Sequence, residues 1–193
     1  MPAVAMTMPM SEPTGWRRWL AWVGTGNAEA FEQLMEAHAA MVLRTAQRLL
    51  LSNSDAQDAA QEVFLKLHRF AAKFDAERDL RPWLYRMTVN VCHDLRRKGK
   101  RLVNIDDTNE PFAIDATPEQ QWSAEEQRRL LYKALASLSD REREAIVLRD
   151  LEGLTTAEVG QAMGTTEATV RSQIAAARAK LKQYLAVRMR SGL

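Results

Sequence analysis

The chain has 193 residues, 46% of them hydrophobic, which suits one or two packed cores and excludes a disordered chain. With 27 basic and 25 acidic side chains the net charge is only +2, so no global basic excess advertises nucleic acid. One cysteine, Cys92, excludes an internal disulfide framework and a Cys-rich zinc site, and no apolar run approaches the ~20 residues that span a bilayer.

A single cysteine also fits a reducing cytoplasm. The pair Cys92-His93 lacks a second Cys or His at ligand spacing, and adjacent helical residues face different ways. No metal and no cofactor are therefore expected. The N-terminus lacks the continuous apolar core of a secretory signal. Charge is unevenly placed. Arg96 to Arg101 reads R-R-K-G-K-R, Leu102 to Glu126 holds seven acids and no Lys or Arg, and Arg171 to Arg190 is basic without an acid. Basic surfaces separated by an acidic connector are the reading this supports.

Almost nothing reads as strand. Residues 1 to 15 have no period and are expected to be disordered. Trp16, Trp19 and Trp22 with Arg17 and Arg18 form an aromatic-basic stretch expected to pack on the first domain, with contact to a partner or a membrane surface as the alternative. Phe31, Leu34, Met35, His38, Val42, Ala46 and Leu49 predict a helix over Asn27–Leu51, with His38 at the core edge. Ser54 and Gln57 form a capping box for a second helix carrying Ala60, Val63, Phe64, Leu67 and Phe70. A loop from Phe74 to Leu80 leads to a third helix. Pro82 suits its first turn, and Leu84, Met87, Val91 and Leu95 form its apolar stripe, with Trp83 read as core.

Leu102 to Ser123 reads as a linker. Its 22 residues span at most about 75 Å when extended, roughly two turns of B-DNA. Ser123 with Glu126, Ser139 with Glu142 and Thr155 with Glu158 predict three more capped helices. The last of these carries Val159, Ala162 and Met163 and stops at Gly164. After the turn Gly164-Thr165-Thr166, Val170, Ile174, Ala177 and Leu181 open a further helix. Two short helices around a Gly-containing turn form a helix-turn-helix, whose second helix enters the DNA major groove. The fold class is therefore all-α, with two small helical bundles joined by a flexible acidic linker.

Three faces carry chemistry. Asp55, Asp58 and Glu62 put acids on neighbouring turns of the second helix, a docking face for a basic helical partner. Arg86, Asn90, His93 and Arg97 line one stripe of the third helix, suited to phosphates and base edges. The polar loop F-D-A-E-R-D-L-R-P before it suits closure around an extruded base. On the last helix, Arg171 and Arg178 share a face two turns apart, and Gln173 suits an adenine edge. No nucleophile set, phosphate-cradling Gly loop or metal cluster supports an enzyme.

In four stretches the chain resembles an extracytoplasmic-function (ECF) sigma factor of bacterial RNA polymerase. They are A-E-A-F-E-Q-L-M-E-A-H, D-A-Q-D-A-A-Q-E-V-F-L-K-L, R-P-W-L-Y-R-M-T-V-N-V-C-H-D-L-R-R and the C-terminal helix-turn-helix. Leu80, Pro82 and Gln173 depart from the family's usual pattern. The resemblance implies an N-terminal extension at 1–25, a region-two domain at 26–101, a linker at 102–123, a region-four domain at 124–187 and a tail at 188–193. It implies core-polymerase contact through Asp55, Asp58, Gln61, Glu62 and Phe64. Minus-ten DNA falls to Asp75, Arg78, Arg81, Arg86, Asn90, His93 and Arg97. Minus-thirty-five DNA falls to Thr166, Glu167, Thr169, Arg171, Ser172, Gln173 and Arg178. The implied partners are core RNA polymerase, promoter DNA and an anti-sigma factor able to hold a cytoplasmic chain at the inner membrane without membrane insertion. The rival reading is an autonomous helix-turn-helix transcriptional regulator, which a polymerase-dependent footprint distinguishes.

Overall fold

The apolar stripe Leu34, Val42, Ala46 and Leu49 gives helix α1 (Ala28–Leu50) one dry face, and it packs on α2 (Asn53–Phe70) and α3 (Leu80–Gly99). Ala56, Ala59, Val63 and Leu67 answer from α2, and Leu80, Leu84, Val89 and Val91 from α3. The computed structural model describes residues 28–70, 80–99 and 118–190. The Trp16–Trp22 stretch, the disorder expected for residues 1–15, the loop before α3 and most of the expected linker lie outside them. Two buried threonines satisfy their hydroxyls within their own helices: Thr45 Oγ1 donates to the Met41 carbonyl at 2.9 Å and Thr88 Oγ1 to that of Leu84 at 2.8 Å.

α1 ends on Leu51, whose φ of 59° is left-handed. That conformation usually falls to glycine and costs a branched residue about 1–2 kcal/mol. Its N–H donates to the Gln47 carbonyl at 2.8 Å, closing the helix end. α2 is then capped by Ser52, whose Oγ accepts from the Asp55 N–H at 3.3 Å. The cap expected at Ser54 therefore sits two residues earlier. Pro82 lies in the first turn of α3, as its missing N–H predicts.

The second bundle begins with α4 (Pro118–Ala136), not at Ser123. Proline suits a first helical turn, so the helix takes in the end of the expected linker, and the Ser123–Glu126 pair falls inside it. α5 (Asp140–Ile146) carries the expected capping box: Glu142 N–H donates to Ser139 Oγ at 3.4 Å and Ser139 N–H to Glu142 Oε2 at 2.9 Å. It continues into a π-helical turn, Val147–Leu151, which sequence periodicity did not signal. α6 (Thr156–Met163) has the same box between Thr155 and Glu158.

α7 (Glu167–Arg190) follows Gly164, whose left-handed φ of 64° turns the chain. A Cβ on Gly160 would lie 3.0 Å from the Thr165 carbonyl oxygen, so any larger residue would have to push the turn back by a few tenths of an ångström. Val170, Ile174 and Ala177 then bury one face of α7 against α5 and α6.

The two bundles touch. α3 packs on α6, and the C-terminal end of α1 meets α5 and the π turn.

Candidate nucleic-acid interface

On α2 the residues Asp55, Asp58 and Gln61 are exposed, and Glu62 is half-buried beside Lys66 at 3.6 Å. Phe64, expected on this face, instead turns into the core at 9% exposure. One residue on, Leu65 is 46% exposed and sits among Asp58, Gln61 and Glu62 at helical spacing. An exposed leucine ringed by acids suits a partner that offers both apolar and basic groups. Sequence reading missed it because Phe64 and Leu65 are both apolar and differ by 100° around the helix.

On α3, Arg86 and Asn90 are exposed, and Arg97 is 80% exposed with its Nη2 donating to Asp94 at 3.2 Å. These three form one solvent-facing stripe. Arg81 is exposed at the first turn, and Asp75 and Arg78 lie outside the described residues. His93 belongs to the stripe by spacing but lies at its edge, with Nε2 2.6 Å from the buried Glu144 of α5. Arg96 donates to the same carboxylate at 2.8 Å and to the Leu49 carbonyl. Tyr85 is buried and donates its hydroxyl to Glu152 at 3.0 Å; burial, ahead of the nearby Glu152 charge, pushes this phenol's pKa up. Burial likewise pushes the Cys92 thiol up to about 12.

On the helix-turn-helix, Thr166, Glu167, Thr169, Arg171 and Ser172 are exposed and Gln173 is half-buried. Thr166 Oγ1 caps α7 by accepting from the Thr169 N–H at 3.2 Å. Glu167 holds Arg171 at 2.7 Å one turn on, which orients the guanidinium along the helix. Arg178 makes a bidentate pair with Asp150 of the π turn, at 3.0 and 2.8 Å, which raises its pKa. That pair engages Arg178 within the bundle. Between the arginine flank and Gln173, the exposed face is small: Ala168, Thr169, Ser172, Ala175 and Ala176. Short side chains leave this stretch of the helix backbone open to close approach, a feature that no charged residue in the sequence marks. An apolar groove lined by Leu131, Leu135, Ile146, Leu151, Leu181 and Leu185 runs between α4, the π turn and α7.

Among the described residues no group of acidic, His and Cys side chains could hold a metal ion.

A helical bundle with charged outer faces, followed by a second bundle ending in a helix-turn-helix, defines a two-part DNA-reading protein. Residues 34–102 match the Sigma-70 region 2 family and residues 128–181 the Sigma-70 region 4 family. The ECF RNA polymerase sigma factor SigE of Mycolicibacterium smegmatis is 34% identical over 92% of this chain and 70% of its own length. SigM of Mycobacterium tuberculosis is 32% identical over 83% of this chain and 79% of its own. The chain belongs to the ECF RNA polymerase sigma factors. Its fold is similar to that of CnrH, solved in complex with the cytosolic domain of CnrY, with a TM-score of 0.67 and 26% identity over 89% of this chain and 97% of that one. It is also similar in fold to the sigma factor RpoE of Bartonella quintana, solved with the anti-sigma factor NepR, at a TM-score of 0.67 and 23% identity over 83% of this chain and 99% of that one.

Proposed function

We propose that this chain binds core RNA polymerase, recognises promoter DNA and promotes its melting for transcription initiation. Residues 26–101 act as the region-two unit and residues 124–187 as the region-four unit, which α4 extends back to Pro118. Asp55, Asp58, Gln61 and Glu62 make charge-assisted contacts to a basic polymerase helix, with Leu65 in place of Phe64 as the apolar contact. Arg86, Asn90 and Arg97 hold non-template bases and phosphates, with Asp75, Arg78 and Arg81 supplying the loop side and His93 joining them once freed from Glu144. Thr166, Glu167, Thr169, Arg171, Ser172 and Gln173 face the upstream element in the major groove, and Arg178 reaches the backbone only on leaving Asp150.

The observation that carries this reading is the joint presence, in an ECF family member, of the exposed acidic α2 face and the exposed α3 stripe in one bundle. Neither is used by an autonomous helix-turn-helix regulator. The chain acts as an initiation factor and not as an enzyme. Family membership also points to an anti-sigma factor, and the apolar groove of the second bundle suits an amphipathic helix of such a partner. No described helix is long and apolar enough to cross a membrane. Action on RNA polymerase and promoter DNA points to a cytoplasmic site, with the anti-sigma factor able to tether the chain at the inner membrane.

Core binding tests the assignment. Asp58→Arg with Glu62→Arg in the full chain is expected to abolish capture by core polymerase while leaving helicity intact. Unchanged core affinity would remove α2 from the polymerase interface.

A further inference from the structure

We propose that the Trp16–Val23 segment folds back onto the outer face of α2 and covers Leu65 and the acids around it, so that the free chain masks its own docking face. That the mask competes with core polymerase rests on the sigma-factor reading; the mask itself does not.

Leu65 is 46% exposed although Val63, Phe64 and Leu67 beside it are buried. A single exposed leucine is ordinary, but this one has a matched setting. Asp58, Gln61 and Glu62 share its face at helical spacing. The Asp58 side chain has no hydrogen bond or ion pair among the described residues. Glu62 has Lys66 at 3.6 Å, a surface pair that contributes little. The face therefore offers an apolar contact with uncompensated negative charge close by.

The segment is its complement. W-R-R-W-L-A-W-V, Trp16 to Val23, holds three tryptophans, two arginines and no acid. At about 100° per residue, Arg18, Trp19 and Trp22 fall on one side of a helix. Each tryptophan has roughly 150–250 Å² to bury and an N–H that tolerates a wet rim. The start of α1 also puts the segment in the right place. Phe31 meets His68 edge-on, with ring centroids 5.0 Å apart, so α1 begins beside the last turn of α2. Leu65 lies three residues before His68. Six residues separate Trp22 from Ala28, a reach of at most about 20 Å. Gly24 and Gly26 stand between them and permit the reversal.

Reach and register decide between this face and the apolar groove of the second unit. That unit meets α1 at Arg48 and Leu49, about 30 Å along the helix from Ala28 and beyond the reach of Trp22. On α2 the register closes. With Trp22 against Leu65 and the segment running parallel to α2, Arg18 falls one turn earlier, level with Gln61 and between Asp58 and Glu62. Apolar meets apolar and basic meets acidic in a single placement. The affinity needed is small. A tether this short holds the segment at an effective concentration on the order of 1 mM, so an intrinsic Kd of about 0.1 mM keeps the face covered in about nine chains of ten. Core polymerase then meets about one chain in ten in a competent state, and binds about tenfold more weakly than it binds an uncovered face.

The test uses the full chain. R18C with Q61C, oxidised with diamide, should close a disulfide within one chain, since facing positions bring the Cα atoms within about 7 Å. Cys92 is buried and stays out of the reaction. Adding L65K, or W19S with W22S, should slow closure about fivefold by emptying the covered state. Core capture gives the second readout. W19S/W22S should bind core polymerase about tenfold tighter than wild type, with helicity unchanged. If that variant loses helicity, R17E/R18E, which keeps the tryptophans, decides the matter and should also bind tighter. Closure at one rate with and without L65K would overturn the proposal, as would unchanged core affinity in the folded segment variants. Disulfide-linked dimers would assign the segment to a second copy and overturn it too. So would tryptophan-dependent binding to phosphatidylglycerol vesicles with no intrachain disulfide. Failure of the sigma-factor reading would look different: closure that depends on Leu65 and the tryptophans, with no core capture by wild type or any variant.

Discussion

In the first unit, α1, α2 and α3 run 23, 18 and 20 residues and meet along leucines, valines and alanines; among its described residues Thr45, Gln47, Ser52 and Thr88 are the buried polar side chains. In the second, α5 and α6 run 7 and 8 residues, and Glu142, Arg143 and Glu144 are buried in succession. Two-turn helices are too short to form by propensity. They are fixed by capping boxes and by charged side chains that tie helix ends together. Arg143 is the clearest case: its guanidinium donates to the carbonyls of Leu135 at 2.9 Å, Leu138 at 3.1 Å and Leu49 at 3.0 Å. Long helices tolerate a purely apolar seam, whereas short ones need directional bonds, and those bonds carry pH and salt sensitivity with them.

The contrast can be broken from either side. Leu84→Ala empties a fully buried site in the first unit and should cost about 3 kcal/mol. Hydrogen exchange should show the loss concentrated in α1 to α3. Arg143→Ala removes no apolar core yet takes one donor from each of three carbonyls, leaving Leu49 with Arg96 and Leu135 with the Leu138 N–H, and should cost about 2 kcal/mol. Its exchange pattern should centre on α4 and α5. Loss of protection spread evenly over both units in either variant would show that they do not differ in this way.

The capping boxes give a smaller effect. Ser139→Ala and Thr155→Ala should each cost about 1 kcal/mol in urea titrations. Values near zero would mean that packing alone sets these helix starts.

Acid should act on the same bonds. The hydrogen bond from Lys180, at 2.8 Å, followed by those from Ser139, holds the Glu142 carboxyl below its ordinary value of 4.5. Bonds from Thr155 do the same for Glu158. Both folded values lie below the unfolded one. Their stabilisation is therefore fully present above about pH 4.5 and lost as pH falls through the depressed values. Thermal melts from pH 7 to pH 3 should show a fall in Tm that is shallower in Glu142→Gln with Glu158→Gln. Parallel curves would exclude these two groups as its source.

Much of this was legible in the chain because it is local. Ser139 with Glu142 and Thr155 with Glu158 lie three residues from their partners, and Gly164, at a left-handed turn, bonds back four residues to Gly160. The apolar stripes of α1 and α3 fell where their period put them. What failed lay one step from such signals. Ser52 caps α2 because Leu51 turns left-handed just before it, which no residue type announces. Phe64 and Leu65 exchange roles through a single step around the helix. The partners of His93 and Arg48 were invisible for a different reason: Glu144 is 51 residues from His93 and Glu152 is 104 from Arg48, and separation along the chain says nothing of proximity in space. That is why His93 reads as a DNA contact from spacing and is an interdomain contact in the free fold.

Open-complex formation on two templates tests the central claim, that the exposed α3 stripe acts in promoter melting. Holoenzymes carrying Arg86→Ala or Asn90→Ala should lose about tenfold on a linear duplex promoter, the scale of one base-edge contact, and much less on the same promoter already melted around minus ten. Equal losses on both templates would contradict the account and leave Arg86 and Asn90 as ordinary backbone contacts.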